Sequence, residues 1–212
     1  LKDQLKRYLW ASCELQYHRN IQSALATLPS SLSEADDKLY QLFSEPRDLD
    51  LADPEIYALL QYEYFAGFRT RGCQISLYKQ IAQKAQFIAE LKPGSGKTSI
   101  IPAIAANETL KGESVIIELP LPMYATQALE IAHKIKSLYG LECYHLQAMP
   151  KGTLLDLRKL NQELNDCQRD KRIILATVQS VQSVRLQLMR MMPKADYHDQ
   201  AIKLENFLSD AL

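Results

Sequence analysis

A short glycine-containing segment near the middle of the chain constrains the fold more than any other feature. Gly94 and Gly96 flank a single residue and are followed directly by Lys97 and Thr98. A phosphate group needs backbone N–H groups turned toward it, and glycine adopts the required loop dihedral angles without a clash of a Cβ atom. An apolar run precedes the segment and a helical pattern follows it, so the positive end of a helix dipole would face the same phosphate. We therefore predict a phosphate-binding loop, formed by Pro93, Gly94, Ser95, Gly96, Lys97 and Thr98.

Two side chains of this loop have specific expected roles in binding ATP with Mg²⁺. Lys97 would reach the β- and γ-phosphates, and the hydroxyl of Thr98 would ligate the Mg²⁺ ion. The alternative is a glycine turn with a solvated lysine beside it. Average residue usage produces the Gly-x-Gly-Lys-Ser/Thr pattern by chance in roughly one chain in a hundred of this length. A strand pattern before the loop and a helix pattern after it make a chance match rarer still, so we expect ATP and Mg²⁺ to be the cofactors.

The residues from 83 onward alternate between strand and helix patterns. Such alternation implies an α/β fold, in which a parallel sheet has helices on both faces and right-handed crossovers. The run Ser114-Val115-Ile116-Ile117-Glu118-Leu119 is rich in β-branched residues and is bounded by prolines, as expected for a strand. Strands are predicted at 87–91, 114–119, 143–147 and 172–177, and helices at 98–110, 124–138, 153–166 and, with a break around Pro193, within 181–212.

Residues 1–82 show helical spacing and few glycines. Asp53 and Pro54 resemble the N-cap and first residue of a helix that ends at Gly67. We predict helices at about 5–28, 33–43, 54–65 and 74–84, and we divide the chain into a helical region, 1–82, and a nucleotide-binding lobe, 83–212. Six aromatic side chains of this region could form an interaction surface or pack in a core, namely Tyr40, Tyr57, Tyr62, Tyr64, Phe65 and Phe68.

The loop and its surroundings resemble the helicases of superfamily 2. The position six residues before Lys97, which is glycine in the full pattern, is Leu91, and superfamily 2 also lacks that glycine. Arg71 and Gln74 resemble the Arg-x-x-Gln motif that these helicases have upstream of the first strand. The resemblance implies that the Gln74 side chain recognises the adenine of ATP; the alternative is that Gln74 is a solvated helix residue. Helicase motif Ia, without its arginine, is similar to Pro120-Leu121-Pro122-Met123-Tyr124-Ala125-Thr126-Gln127. Motif Ib, without its Pro-Gly, is similar to Ala176-Thr177-Val178-Gln179. The resemblance implies the first RecA-like lobe of an ATPase, preceded here by a helical region.

A second resemblance covers about residues 55–190. The order of three segments is similar to that in a large uncharacterised family, which has an LLE segment and an NMG phosphate-binding segment. The three segments are Leu59-Leu60-Gln61-Tyr62-Glu63, then Arg71 and Gln74, then the loop with Ile100-Ile101-Pro102. Gln61-Tyr62 interrupts the LLE here, and Lys92-Pro93-Gly94 replaces Asn-Met-Gly. Members of that family are very large proteins, some of them fungal and described as ubiquitin hydrolases.

A motor of this class also needs an acidic pair at the end of another strand, which holds Mg²⁺ and activates water. The sequence contains no apolar run that ends in Asp-Glu, and Glu118 lies inside a predicted strand, where a solvent- or helix-facing side chain is expected. The resemblance implies that the acidic motif and the second lobe with its arginine finger follow Leu212. We therefore expect a parent ATPase, and a chain that binds nucleotide without hydrolysing it.

The charge balance limits the classes of binding partner, and the cysteines indicate the cellular compartment. Lys plus Arg and Asp plus Glu each number 25, so no overall field attracts nucleic acid or an anionic membrane, and the two degraded helicase-like motifs favour a protein substrate over a nucleic acid. Four scattered cysteines are typical of buried, reduced thiols in a cytoplasmic protein, and no run is long enough to span a membrane. The chain begins with Leu1 rather than Met, so we expect the native N-terminus to lie upstream.

Two alternatives to the motor lobe remain at this point. A phosphate-binding fold could serve as a scaffold that binds nucleotide without hydrolysis, with the helical region as the interaction surface. A small-molecule kinase would need lid arginines and its own acidic base, and Lys92 and Arg185 do not form a recognisable lid. A Cys- or His-based hydrolase has no local nucleophile motif here.

Overall fold

The computed structural model describes residues 1–26, 56–67, 69–82, 97–149, 153–194 and 197–210. The chain divides into two compact units, residues 1–104 and 105–212. The predicted domain boundary between residues 82 and 83 falls at the edge of a segment outside the described residues and remains a prediction. The predicted helix at 33–43, the predicted strand at 87–91 and loop residues 91–96 also lie outside them.

The described part of the first unit is helical. Its helices are α1 (Lys2–Ala26), α2 (Ile56–Ala66), α3 (Gly72–Ala82) and the first part of α4 (Lys97–Lys111), which continues into the second unit. Gly67 ends α2 with φ of +74°, a left-handed conformation that glycine adopts without steric cost. The predicted helical character of this region is therefore confirmed in the described residues.

Helix α1 packs against α2. The buried side chains of α1 include Leu9, Cys13 and Ile21, and they meet a face of α2 on which Leu59 and Leu60 are fully buried. The thiol of Cys13 lies 3.7 Å from the carbonyl oxygen of Leu60. Other large apolar side chains of α1 are exposed, among them Leu5, Tyr8 and Leu15.

The second unit contains a three-stranded parallel sheet in the order β1-β3-β2. Its elements, after α4, are β1 (Ile116–Leu119), α5 (Leu121–Tyr139), β2 (Cys143–Leu146), α6 (Leu154–Arg169), β3 (Ile173–Thr177), α7 (Val178–Met191) and α8 (His198–Asp210). All five residues of β3 are buried, as expected for a central strand. The predicted α/β class, with a parallel sheet, is confirmed.

Helices cover both faces of this sheet. On one face, Leu146, Ile174 and Ala176 belong to a core cluster with the apolar sides of α6, α7 and α8. On the other face lies α5, whose Tyr124 ring contacts His145, and whose buried side chains include Ile131 and Ile135. The chain moves across the sheet in one direction from β1 to β2 and returns from β2 to β3. Two right-handed crossovers in opposite directions place α5 and α6 on opposite faces, as observed.

Several element boundaries differ from the sequence prediction, three of them at the starts of elements in the second unit. β1 begins at Ile116 rather than residue 114, and α7 begins at Val178 rather than residue 181. Helix α5 begins at Leu121 rather than residue 124, because Pro120 serves as its N-cap with φ of −59° and Pro122 lies in the first turn, where a missing N–H costs nothing. None of the described helices is both long and apolar enough to cross a membrane.

Candidate nucleotide-binding site

The described part of the predicted phosphate-binding loop is its last two residues. Lys97 and Thr98 are the first residues of α4, and Pro93, Gly94, Ser95 and Gly96 lie outside the described residues. The first backbone N–H groups of an α-helix have no intrahelical partners. Such groups, together with the positive end of the helix dipole, are suited to bind a phosphate.

A proline in the second turn of α4 changes the bonding of its first turn. Pro102 lies inside the helix, and proline has no N–H group to donate to the carbonyl four residues earlier. The carbonyl of Thr98 therefore receives no helical hydrogen bond from this position. Beyond the proline the helix is well packed, since Ala103 and Ala106 are fully buried.

The two upstream candidates, Arg71 and Gln74, meet at the start of α3. Gln74 is 3% exposed, and its side-chain carbonyl accepts a hydrogen bond from the backbone N–H of Arg71 at 2.8 Å. This contact satisfies one of the N–H groups that precede the helix, in the manner of a capping box. The alternative of a solvated helix residue was wrong for Gln74, and its predicted role in adenine recognition stays a prediction.

The segment that resembles motif Ia forms the first turns of α5, directly after β1. The hydroxyl of Thr126 donates to the carbonyl oxygen of Met123 at 3.1 Å, so this polar side chain is used within the helix. The side-chain amide of Gln127 lies 3.9 Å from the Met123 sulfur. Leu121 and Met123 are exposed at the carboxyl end of the sheet. Ligands bind at this end of open parallel sheets.

Thr177, from the segment that resembles motif Ib, is the N-cap of α7. Its hydroxyl accepts a hydrogen bond from the Ser180 backbone N–H at 2.9 Å, and the Ser180 hydroxyl accepts one from the Thr177 backbone N–H at 2.9 Å. This is a complete capping box, and it defines how β3 turns into α7. The Thr177 side chain is 8% exposed and is therefore held by structure rather than presented to solvent.

Sequence reasoning missed the role of Tyr124 near the same end of the sheet. Its hydroxyl donates to the carbonyl oxygen of Leu175 at 3.2 Å and lies 2.9 Å from Nδ1 of His145, so it joins α5 to β3 and β2. Burial, and then the nearby Cys143, raises the pKa of the Tyr124 hydroxyl above its usual value, which keeps it neutral at pH 7. The signal available in the sequence was a lone tyrosine one turn into a helix that follows a strand.

Acidic groups do not assemble a metal site in the described residues. Glu118 is exposed in β1, which confirms the expectation of a solvent-facing side chain. Within the ranges that the structure covers, no group of three or more His, Cys, Asp or Glu side chains could hold a metal ion. All four histidines, His18, His133, His145 and His198, have exposed side chains.

Two of the four cysteines are held in the protonated form by their surroundings. All four are free thiols. Burial raises the pKa of Cys143 to about 12 and that of Cys167 to about 11, so both stay protonated at neutral pH. The prediction of buried thiols holds for Cys13 and Cys167 but was wrong for Cys73, which is exposed.

Comparison of the chain with protein-family models, with curated proteins and with solved structures found no match.

Proposed function

We propose that residues 91–98 bind the phosphates of ATP together with Mg²⁺, in the first RecA-like lobe of an ATPase similar to the helicases of superfamily 2. The observation that carries this proposal is the sequence Pro93-Gly94-Ser95-Gly96-Lys97-Thr98, followed by helix α4, which the structure describes from Lys97 onward. The start of a helix at this place would supply the backbone N–H groups and the dipole that a phosphate site requires. Lys97 would contact the β- and γ-phosphates, and Thr98 the Mg²⁺ ion.

The sheet of the second unit supports the same proposal. Its strands are parallel, and α5 and α7 begin immediately after β1 and β3. Strand-to-helix turns of this kind lie at the edge where α/β proteins bind their ligands. A neutral chain whose helicase-like segments lack the arginine and the Pro-Gly favours a protein substrate over a nucleic acid.

Hydrolysis is assigned to the parent protein rather than to this chain. Activation of water requires an acidic residue beside the Mg²⁺ ion, and the sequence contains no apolar run that ends in Asp-Glu. The chain alone is therefore expected to bind nucleotide without turnover. The scattered cysteines favour an intracellular, cytoplasmic setting for it. A second lobe and the acidic motif would complete the motor.

A non-hydrolysing scaffold is the second candidate, and one observation favours it. Gln74 and Thr177, the polar residues that match helicase motifs, both hold helix starts through their side chains. Side chains used in this way are explained by stability alone. Hydrolysis by a longer chain that contains the acidic pair would support the motor; nucleotide binding without hydrolysis in that longer chain would support the scaffold.

The test is a titration of the purified chain with fluorescent ATP and ADP in the presence of Mg²⁺, with phosphate release assayed in the same samples. We expect saturable binding and no phosphate release. Lys97→Ala should abolish nucleotide binding. Thr98→Val removes the hydroxyl at nearly constant side-chain shape, so the affinity for nucleotide should no longer depend on Mg²⁺. Lys159→Ala is the matched control, because its side chain is 75% exposed and its removal breaks only a surface ion pair with Glu163, and such pairs contribute little to stability.

Absence of saturable binding by a folded wild-type chain would contradict the proposal. Equal binding by the Lys97→Ala and Lys159→Ala variants would also contradict it, because the phosphate contact would then lie elsewhere.

A further inference from the structure

A polar cleft lies in the second unit at the amino end of the sheet. It has a volume of about 370 Å³ and lies between α6, α8 and the connection Gly112–Ser114 that leads into β1. Pockets for small ligands have volumes from about 300 Å³ upward. The turns that follow β1 and β3 lie at the opposite, carboxyl end of the sheet, so the cleft is distinct from the edge discussed above.

Side-chain amides dominate the wall of this cleft. Asn161, Asn165 and Gln168 line it from α6, and Asn206 lines it from α8. Their positions in α6 have the spacing i, i+4, i+7, which places all three on one face of the helix. Leu164, fully enclosed at 1% exposure, and the partly buried Phe207 supply an apolar floor.

One of these amides is oriented by the protein itself. The side-chain nitrogen of Asn161 donates to the backbone carbonyl oxygen of Gln200 at 3.1 Å and to its side-chain oxygen at 2.7 Å. An amide nitrogen has two N–H groups, so both are used and the carbonyl oxygen of Asn161 is the group left to accept a hydrogen bond. The cleft therefore contains a hydrogen-bond acceptor of fixed orientation, the side-chain carbonyl oxygen of Asn161. The neighbouring amides of Asn165 and Gln168 can both donate and accept hydrogen bonds.

We propose that this cleft binds an extended polypeptide segment by hydrogen bonds to its backbone. A helix rises about 1.5 Å per residue, so the amides of residues 161 to 168 span about 10 Å. Three residues of extended chain cover about 10 Å as well, at about 3.3 Å per residue. Amides spaced by one helical turn, about 5–6 Å, approach the repeat of about 6.6 Å between backbone groups that point to the same side of a strand.

The charges of the cleft fit a neutral backbone rather than a charged ligand. Glu113 and Lys203 line it with one charge of each sign, and the other polar lining groups are amides and the Ser114 hydroxyl. A phosphate or a nucleic acid would require an excess of positive charge, which this lining lacks. A carbohydrate shares the hydrogen-bonding chemistry and is the alternative ligand that the experiment distinguishes from a peptide.

The experiment screens the full 212-residue chain against an array of blocked heptapeptides of random sequence and measures the affinity of the best binder in solution. We expect saturable binding, which weakens about tenfold or more when alternate backbone nitrogens of the peptide are methylated, since each methyl group removes a hydrogen-bond donor. Binding should weaken similarly in the double variant Asn165→Ala, Gln168→Ala. Both side chains are exposed, so this variant is expected to fold.

Gln162→Ala is the matched control, since this exposed glutamine lies on the same helix but does not line the cleft. Its affinity should stay within about twofold of wild type, because exposed substitutions away from a contact change free energies little. Failure of all peptides to bind, insensitivity to backbone methylation, equal loss in the Gln162 control, or binding of maltotriose in place of peptide would each overturn the proposal. The Lys97→Ala variant should bind the peptide normally, so failure here and failure of nucleotide binding are distinguishable.

Discussion

The Glu63 carboxylate is 1% exposed and accepts hydrogen bonds from the Thr70 backbone N–H, at 2.8 Å, and from the Thr70 hydroxyl. It belongs to the segment Leu59-Leu60-Gln61-Tyr62-Glu63, whose two leucines are fully buried. This segment is therefore explained by packing and by a link across the α2–α3 connection. Removal of a hydrogen-bond donor from a buried carboxyl group destabilises the folded state, because the cost of removing that group from water remains.

We predict that Thr70→Val lowers the free energy of unfolding by about 1–3 kcal/mol, because the buried side chain of Glu63 loses a hydrogen-bond donor. Urea denaturation measures this change. Thr126→Val is the control, since the Thr126 hydroxyl donates to a backbone carbonyl on an exposed helix surface, and its effect should stay within about 0.5 kcal/mol. Equal effects of the two variants would show that the buried carboxylate does not depend on Thr70.

Thiol reactivity separates the four cysteines by environment. We predict that one thiol of the native chain reacts quickly with an aromatic disulfide reagent at pH 8, and that it is the exposed Cys73. Cys13 and Cys167 are buried and therefore inaccessible to the reagent, and burial raises the pKa of Cys143 to about 12, so little thiolate forms there. Cys73→Ser should abolish the fast phase, while denaturant should expose the remaining thiols; a persistent fast phase in this variant would contradict the assignment.

At the scale of elements, the capping box of α7 determines how the central strand passes into its helix. We predict that Thr177→Val lowers the free energy of unfolding by about 1–2 kcal/mol, because the Ser180 backbone N–H loses its acceptor. Thr177→Ser retains the hydroxyl and should be close to wild type in thermal and urea denaturation. Both variants should bind nucleotide like wild type, and a selective loss of binding in a stable Thr177 variant would instead assign the residue to the site.

The capping box of α6 predicts a pH dependence. The pKa of Asp156 is lowered from its ordinary value of 3.8, first by the hydrogen bond from the Thr153 hydroxyl and then by that from the Thr153 backbone. A carboxyl group whose pKa is lower in the folded state contributes stability above its ordinary pKa and loses it as the pH falls below that value. The stability difference between wild type and Asp156→Asn should therefore shrink between pH 6 and pH 3; a constant difference would contradict this.

Element positions were predictable where local chemistry decides them. The helices predicted at 98–110 and 124–138 end within one residue of the observed positions, next to Gly112 and Gly140, which both have positive φ, 103° and 68°. Thr153 and Asp156 carry a readable capping signature, whereas Pro120 and Pro122 were interpreted as breakers although both fit the start of α5. The strand order β1-β3-β2 was not predictable, because it depends on packing between residues distant in sequence, such as Ile117 with Leu175.

At the scale of the molecule, the nucleotide proposal and the polar cleft belong to different compact units. Lys97 and Thr98 lie within residues 1–104, and every residue that lines the cleft lies within residues 105–212. The two proposals are therefore tested by separate variants, Lys97→Ala for the nucleotide site and the double variant Asn165→Ala, Gln168→Ala for the cleft.

Hydrogen exchange on the full chain, with and without Mg²⁺ and ATP, tests the central claim most directly. We predict slower exchange of the backbone amides in residues 91–104 when nucleotide is present, because the loop and the first N–H groups of α4 would donate to phosphate oxygens. The same peptides from the Lys97→Ala variant should show no change, and those from Lys159→Ala should behave like wild type. Nucleotide binding without protection of residues 91–104, or no change anywhere in a folded wild-type chain, would contradict the account.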